Sequence, residues 1–190
     1  MKLFEAFHEY SQNWATVTAA HWQKYPNDKT PHVLHVETLN RTIDPETGIL
    51  RTERLIACKQ ACPAIVAKIL GSSETSYVLE YSEVDPKQQV LKAVTTNLTY
   101  HNVVAVNEEI CYTAHPTQPR SATAFKQSAQ ITAFSWIAST VEDFCVNRFR
   151  ENAQIGKRAL EQVVEKLAET NAAAAQTASA GSLAAAAGAQ

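Results

Sequence analysis

The stretch from Gln23 to Leu55 reads QKYPNDKTPHVLHVETLNRTIDPETGILRTERL and contains a helix end, a turn and a complete hairpin. A helical pattern stops at Pro26, because proline cannot donate the hydrogen bond that would continue a helix. Two alternating runs of apolar and polar residues follow, joined by Asp-Pro-Glu-Thr-Gly, which is strong turn chemistry. The stretch predicts a helix that ends at the mouth of an antiparallel hairpin, with Lys24 and His32 on either side of the break.

Alternating runs typical of strands recur on both sides of this hairpin. They are KLFEAFHEY at the N-terminus and later runs beginning ETSYVLEY, QVLKAVTTN, VVAVNEEICY and SATAFKQSAQ. Between the first run and the hairpin, NWATVTAAHWQKY places apolar residues at helical spacing, with Asn13 as its N-cap. About seven strands in sequence, most of them joined by short turns, favour an antiparallel meander.

The pattern changes to one long amphipathic helix from about Ala138 to Leu167. Residues 171–190 are low in complexity and carry no charge, so they cannot offset their ordering entropy by burial and are predicted to be a disordered tail. The predicted fold class is α+β, with residues 1–170 as one domain. A curved antiparallel sheet that grips the long helix, with a short apolar helix or loop inserted among the strands, forms a half-barrel. Such a half-barrel leaves a cavity between sheet and helix wherever the facing side chains do not fill the space.

Two polar residues interrupt the apolar face of the long helix. Asn152 lies in the middle of a face formed by Val141, Cys145, Phe149, Gly156, Ala159, Val163 and Leu167. Arg148 lies on the flank of the same face, one turn earlier. A buried amide without a partner costs about 1–3 kcal/mol and a buried guanidinium more, so both groups need partners. Either Asn152 bonds to a strand backbone while Arg148 reaches solvent, or both line a cavity and bind a polar or anionic headgroup.

Composition bounds the function classes. The chain has 190 residues, 45% of them hydrophobic, and a net charge of −2, so it lacks the overall basic field of most nucleic-acid binders. The sequence contains no run of about 18 apolar residues, so no membrane-spanning helix is predicted. The N-terminal MKLFEAFHEY lacks the apolar region of a secretory signal, and its two glutamates argue against a transit peptide. No partner nucleic acid is expected.

The four cysteines do not form a metal-binding pattern. Cys58 and Cys62 are a CxxxC pair without a second pair or a suitably spaced histidine. Cys111 and Cys145 are predicted to be small buried apolar residues. Cys58 and Cys62 remain open to two readings, as packing residues or as an exposed thiol pair.

Catalytic motifs are absent from the sequence. There is no nucleophile elbow, no glycine-rich phosphate loop and no HExxH motif. Glu108 and Glu109 alternate across a predicted strand and so do not form a facing acid–base pair. The residues favour a binding protein over an enzyme, with no cofactor and no metal.

Short motifs along nearly the whole chain resemble the PRELI-like family of mitochondrial intermembrane-space phospholipid-transfer proteins. The family's order is followed by KYPN (24–27), HV (32–33), RTERL (51–55), EYSEVDP (80–86), TNLTYHN (96–102), HP (115–116), AQITA (129–133), and VEDF with RFRENAQIGKRAL (141–160). The MKLF start, AQITA and Phe-x-Glu-Asn-Ala resemble the slowmo-like, phosphatidylserine-carrying branch more than the phosphatidic-acid branch.

The resemblance implies a START-like half-barrel that transfers one glycerophospholipid between the outer and inner mitochondrial membranes without catalysis. It also implies a heterodimer with a small helical twin-CX9C protein, a lid loop over the cavity, and peripheral contact with anionic membranes. The implied lid spans residues 62–70 and includes Cys62, Ile65, Val66, Ile69 and Leu70.

The resemblance also implies a headgroup site, which explains the residues that flank the break. The basic residue before Tyr-Pro-Asn is Lys24, the histidine before the hairpin is His32, and the helix asparagine is Asn152. Arg148 joins them as a phosphate ligand, and Lys59 is the nearest cation to Cys58, where phosphatidic-acid carriers have lysine. Those carriers also have lysines at the places of Ala61 and Ile155, so this chain departs from their pattern.

Three classes of function remain open at this point: a carrier of one of two lipids, an enzyme, and a structural protein. The chain is a phospholipid carrier with phosphatidylserine favoured, or it carries phosphatidic acid by the same mechanism. A small-molecule enzyme on the same half-barrel would need a titratable pair that converges in the cavity. A structural partner-binding protein would have a filled core. In a carrier, the row of Tyr77, Leu79 and Tyr81 is expected to contact the acyl chains, whereas in a filled core it is plain packing.

Overall fold

The computed structural model describes residues 1–59, 75–134 and 138–187. The strands are β1 (Lys2–Tyr10), β2 (Val33–Ile43), β3 (Leu50–Lys59), β4 (Thr75–Asp85), β5 (Val90–Asn97), β6 (Val104–Ala114) and β7 (Thr123–Ala133). The helices are α1 (Trp14–Trp22), between β1 and β2, and α2 (Ala138–Ala187), after β7. The short apolar helix or loop predicted between β3 and β4 lies outside the described residues.

The seven strands form one antiparallel sheet in the order β1-β7-β6-β5-β4-β3-β2. From β2 to β7 each strand pairs with its neighbour in sequence, which is the predicted meander, and β1 returns to pair with β7 along its whole length. Helix α2 packs against β1, β7 and α1. The predicted α+β half-barrel, a curved antiparallel sheet that grips a long helix, is confirmed.

Local sequence signals set the hairpin and the first helix. The side chain of Asn13 accepts a hydrogen bond from the backbone N–H of Thr16, which caps α1 as predicted. In the β2–β3 turn, the carboxylate of Asp44 accepts two backbone N–H bonds, and Gly48 adopts a φ of 77°. Glycine reaches this left-handed conformation without strain, so it is suited to closing the turn.

The main hydrophobic cluster lies where α1 and the middle of α2 meet the sheet. It includes Trp14 and Val17 of α1, Leu91 of β5 and Tyr112 of β6. Helix α2 contributes Leu160 and Val164, which sequence analysis left out of the apolar face, together with Val163 and Leu167, which it included. A smaller cluster surrounds Val141 near the start of α2. Apolar packing therefore holds both ends of the sheet–helix interface.

Helix α2 does not end at Leu167 as predicted but continues to Ala187. The predicted tail is rich in alanine, which has the highest helix propensity of all residues, and this explains the continued helical backbone. A domain boundary at residue 170 stays a prediction, because helical backbone alone does not define one. No helix in the described part of the chain is long and apolar enough to cross a membrane.

The row of Tyr77, Leu79 and Tyr81 on β4 is not the inner face of the sheet, so its expected role in contacting acyl chains is corrected. Tyr77 and Tyr81 are 45% and 43% exposed, whereas Glu80 and Ser82 between and beside them are buried. Tyr77 still borders the sheet–helix cavity, but Leu79 and Tyr81 do not. The inner face is polar because Glu80 has an internal partner, described below.

Candidate functional site

A cavity of about 300 Å³ lies between the inner face of the sheet and α2. Apolar side chains from both sides form much of its wall, among them Ile56, Val78, Val106, Ile110, Phe125 and Phe149. Charged and polar groups from the α1–β2 loop, β6, β7 and α2 complete the wall. The interface between sheet and helix is therefore not filled by side chains.

The loop between α1 and β2 brings Lys24 and His32 to the cavity wall. The Asn27 side-chain amide donates to the carbonyl oxygen of Ala159 at 3.3 Å, which ties the loop to α2. A Cβ atom built on Gly156 would lie 3.1 Å from Nζ of Lys24, so the ammonium lies directly against this glycine. The proline break thus turns the chain back onto the helix and directs Lys24 to the cavity.

Four of the five predicted headgroup residues line this cavity: Lys24, His32, Arg148 and Asn152. Burial, and then the charges of Lys24 and Arg148, lower the pKa of His32, which shows that the three groups share one electrostatic environment. His32 is therefore mainly neutral at pH 7, beside the basic side chains of Lys24 and Arg148. An anion bound among them would face a positive field in a partly desolvated site.

Asn152 and Arg148 retain hydrogen-bonding capacity toward a ligand. The Asn152 side chain forms no hydrogen bond with any of the described residues, so the alternative in which it bonds to a strand backbone is not found. Arg148 donates from Nη1 to Glu151 at 3.1 Å and is 36% exposed, as the solvent alternative requires. Its Nε is nevertheless buried without a partner in the described part of the chain.

These features can be compared with known proteins. A model of the PRELI-like family matches residues 15–170. The chain belongs to the PRELI-like family. It is 39% identical over 170 residues to the UPS-like protein C36.10 of Schizosaccharomyces pombe, covering 88% of this chain and 91% of that protein. It is 39% identical over 172 residues to the mitochondrial protein UPS2 of Saccharomyces cerevisiae, covering 89% and 75%. It is 36% identical over 169 residues to the slowmo homologue of Dictyostelium discoideum, covering 88% and 73%.

Solved structures share the fold of this PRELI-like chain at low sequence identity. TTHA0849 from Thermus thermophilus superposes with a TM-score of 0.57 at 11% identity, covering 87% of this chain and 98% of that chain. Norcoclaurine synthase from Thalictrum flavum, in complex with dopamine and hydroxybenzaldehyde, gives 0.53 at 12% identity, covering 87% of each chain. At such identities the likeness concerns the fold alone, and it agrees with the predicted START-like half-barrel.

The fifth predicted headgroup residue of this PRELI-like chain, Lys59, lies apart from the other four. Side chains alternate across a strand, so Lys59 and its neighbour Cys58 point to opposite faces of β3. Cys58 is buried and lines the cavity, whereas Lys59 is exposed and does not. The predicted lid residues Cys62, Ile65, Val66, Ile69 and Leu70 lie outside the described residues.

Burial raises the pKa of the Cys58 thiol to about 11, so it is a neutral packing group. Cys111 and Cys145 are half-buried rather than fully buried as predicted. Cys111 lies within strand β6 at a position that keeps partial contact with solvent. Burial raises the pKa of its thiol as well. The open reading of Cys58 as part of an exposed thiol pair is thus not supported by its burial.

A buried polar network that the sequence patterns did not predict borders the cavity, and His21 and Glu80 of this network line it. Arg54 donates from Nε to Glu80 at 2.8 Å and contacts Nε2 of His21 at 3.3 Å. Because a guanidinium only donates, Nε2 accepts and the hydrogen lies on Nδ1, which has no partner in the described residues. Burial, followed by the charges of Arg54 and Lys24, places the pKa of His21 well below its ordinary value. The network explains why the inner face of β4 is polar.

Two further charged residues line the cavity wall although they were not predicted to belong to the site. Lys157 on α2 lies five residues beyond Asn152 and lines the cavity, and its Nζ is 3.9 Å from a carboxylate oxygen of Glu161. Glu108 on β6 projects into the cavity, and Gln127 of β7 donates a hydrogen bond to it. The strand pattern showed that Glu108 and Glu109 face opposite ways, but not which of them faces inward.

Proposed function

We propose that this PRELI-like protein is a non-catalytic carrier that transfers one glycerophospholipid, with phosphatidylserine favoured, between the outer and inner mitochondrial membranes. The lipid enters the sheet–helix cavity headgroup first, and its phosphate lies near Lys24, His32, Arg148 and Asn152. The observation that carries the proposal is this cationic, incompletely hydrogen-bonded wall inside an unfilled and otherwise largely apolar cavity.

The cavity chemistry matches an amphiphile. Charge-assisted hydrogen bonds to phosphate are worth about 1.5–3 kcal/mol each, and more where water is excluded. Lys24 has no salt bridge to a described residue, and Nε of Arg148 lacks an acceptor, so both groups are available to a phosphate. The apolar walls would accept the glycerol and the first part of the acyl chains.

Preference for phosphatidylserine over phosphatidic acid is supported by what stands at Cys58. Phosphatidic acid carries up to two negative charges on its phosphate, and its carriers are expected from the resemblance to have lysine at this position. Here the position holds a buried neutral thiol, and the next cation, Lys59, points away from the cavity. A headgroup with one phosphate charge and further polar groups therefore fits this wall better.

The compartment and the partner rest on family membership. UPS2 of Saccharomyces cerevisiae is named as mitochondrial. We infer from the resemblance that this chain works in the intermembrane space as a heterodimer with a small helical twin-CX9C protein. Residues 62–70 would act as the lid, with peripheral contact between the lid and anionic membranes.

The unfilled cavity argues against the structural alternative with a filled core. Phosphatidic acid transfer by the same mechanism stays the alternative, because Lys24 and Arg148 would bind either phosphate. Lys24 and Glu108 do converge on the cavity, as the enzyme alternative requires. Family membership favours a carrier.

The proposal is tested with the protein co-expressed with a twin-CX9C partner. Lipids that co-purify are identified by mass spectrometry, and transfer of fluorescent phosphatidylserine, phosphatidic acid and phosphatidylcholine between liposomes is then timed. We expect co-purified phosphatidylserine and the fastest transfer for the same lipid. Faster transfer of phosphatidic acid would keep the carrier and overturn the lipid preference, and no transfer of any lipid would refute the carrier.

Matched variants connect transfer to the cavity wall. Arg148→Ala and Lys24→Ala should slow transfer about 10-fold or more, as expected when a charge-assisted hydrogen bond of about 1.5–3 kcal/mol is lost. Arg150→Ala is the control for the first, since Arg150 lies exposed on the other side of α2. Lys29→Ala is the control for the second, since Lys29 is an exposed cation of the same loop. Equal effects of control and test variants would show that only surface charge matters.

A further inference from the structure

Glu108 differs from the other inward-facing carboxylates of the sheet and helix. Glu80 is paired with Arg54 at 2.6 Å, and Glu142 with the N-terminal ammonium at 2.6 Å. Glu108 forms no salt bridge with any cation of the described residues, and its contact there is the hydrogen bond from the neutral amide of Gln127. An ionised carboxylate in a protein interior without an ion-pair partner is unfavourable, so a cation supplied by a ligand would stabilise it at this position.

The surroundings of Glu108 agree with this reading. The side chain keeps part of its surface accessible because it faces the cavity, while protein surrounds it on the other sides. Desolvation raises its pKa and Glu80 adds to the rise, whereas Gln127 and Lys24 oppose it. A cation arriving from the cavity would favour the ionised carboxylate again.

The cavity thus presents both signs of charge to one ligand. Lys24 and Arg148 supply cations from the loop and from α2, and Glu108 supplies an anion from the sheet. A phosphate alone satisfies the cations, leaves Glu108 without an ion-pair partner, and adds repulsion between the two anions. A headgroup that bears an ammonium beyond its phosphate satisfies both.

We propose that Glu108, held by Gln127, binds the ammonium of an amine-bearing phospholipid headgroup and thereby selects aminophospholipids over phosphatidic acid. This inference rests on the proposed function. It adds the residue that recognises the amine, and Gln127 acts as its positioning residue.

The test uses Glu108→Gln in the heterodimer, with Glu109→Gln as the matched control. The first substitution keeps the size and the hydrogen-bonding capacity of the original side chain and removes its charge, while Glu109 is the adjacent exposed carboxylate on the same strand. Transfer of fluorescent phosphatidylserine, phosphatidylethanolamine and phosphatidic acid between liposomes is measured for each protein. We expect Glu108→Gln to lower the phosphatidylserine-to-phosphatidic-acid rate ratio about 10-fold and Glu109→Gln to leave it unchanged.

The outcomes separate this inference from the proposed function. Wild-type transfer of phosphatidylserine with an unchanged ratio in Glu108→Gln would overturn the role of Glu108 and leave the carrier intact. Absence of transfer in the wild type would overturn the carrier, and this inference with it. Equal losses for all three lipids would assign Glu108 to structure and refute amine recognition.

Thermal unfolding of the lipid-free heterodimer gives an independent readout. Removing a carboxylate that lacks a cation should leave the midpoint unchanged or raise it. Added phosphatidylserine should then raise the midpoint of the wild type more than that of Glu108→Gln. A lower midpoint or failure to fold in Glu108→Gln would mean that the carboxylate serves the fold, which contradicts the inference.

Discussion

Gly156→Ala should stabilise the protein and slow lipid transfer at once. Within α2, glycine is about 0.8–1.0 kcal/mol less favourable than alanine, since it loses more backbone entropy on folding. A Cβ at this position would meet Nζ of Lys24 at 3.1 Å and its Cε at 3.8 Å, with no other described atom outside the local helix within 4 Å. The obstructing group is the end of a flexible side chain, which can shift by a few tenths of an ångström.

The net change in the free energy of unfolding is therefore expected to be a gain of about 0.5–1 kcal/mol. For a chain of this length, that corresponds to a rise of about 1–4 °C in the thermal midpoint. The ammonium of Lys24 must move away from α2, so its hydrogen bond to a phosphate is lengthened or lost. We expect transfer of phosphatidylserine to slow several-fold, within the limit set by losing a bond of about 1.5–3 kcal/mol.

The assay pairs circular-dichroism melting with liposome transfer on the same preparation. Gln154→Ala is the control, because Gln154 lies on the same turn but is exposed, and a change of a few tenths of a kcal/mol is expected from propensity. A fall of more than about 1 kcal/mol in the Gly156→Ala unfolding free energy would refute the reasoning, because overpacking of that size requires a filled site. Unchanged transfer would show that the position of Lys24 does not matter.

Three further predictions concern groups around the cavity. Burial lowers the pKa of His21 in the folded protein, so the unfolded chain binds the proton more tightly. Stability should therefore be full above about pH 6.5 and fall by up to about 1.4 kcal/mol per pH unit below it. Urea unfolding at about pH 7.5 and 5.5 would detect this fall, and a flat profile would contradict it. Glu80→Ala should lower the free energy of unfolding by about 3–5 kcal/mol, because it leaves the buried Arg54 unpaired. Adding Arg54→Met to this variant should restore much of the loss. Additive losses of the two substitutions in urea unfolding would contradict the pairing. With a pKa of about 11, the Cys58 thiol should react with iodoacetamide at about pH 8 roughly 100-fold more slowly in the folded protein than in the unfolded chain. Peptide mass spectrometry would follow the reaction, and equal rates would contradict the burial of Cys58.

Local patterns sufficed for the elements that local chemistry controls. Asp44 and Gly48 close their hairpin through hydrogen bonds and a backbone conformation that involve only the turn itself. Alternation predicted the strands, and helical periodicity placed Val141 and Ala159 on the inner face of α2, where both are buried. These features repeat every two or about every 3.6 residues, so they are visible without the rest of the fold.

Which face of β4 points toward the inside of the sheet could not be predicted from the sequence in the same way. Alternation divides a strand into two faces, but apolar content is the usual guide to which face is inside, and here Tyr77 and Tyr81 are outside. Glu80 faces inward because the sheet register sets it beside Arg54 of β3, and the two charges satisfy each other. Such a pairing joins residues far apart in sequence. The same limit hid Glu108, whose inward position depends on the curvature of the whole sheet.

The residues around the cavity are individually unfavourable for the lipid-free fold. Gly156 weakens its helix, Asn152 leaves an amide without a described partner, and Glu108 keeps a carboxylate without a salt bridge to any described residue. An apolar core would be more stable at each of these positions, by about 1 kcal/mol or more. Their concentration around one volume of about 300 Å³ is what a ligand site requires, because a ligand with matching groups supplies partners for Asn152 and Glu108, while Gly156 leaves room for Lys24. The lipid-free protein should accordingly be the less stable form, and a headgroup that pairs with only one sign of charge should stabilise it least.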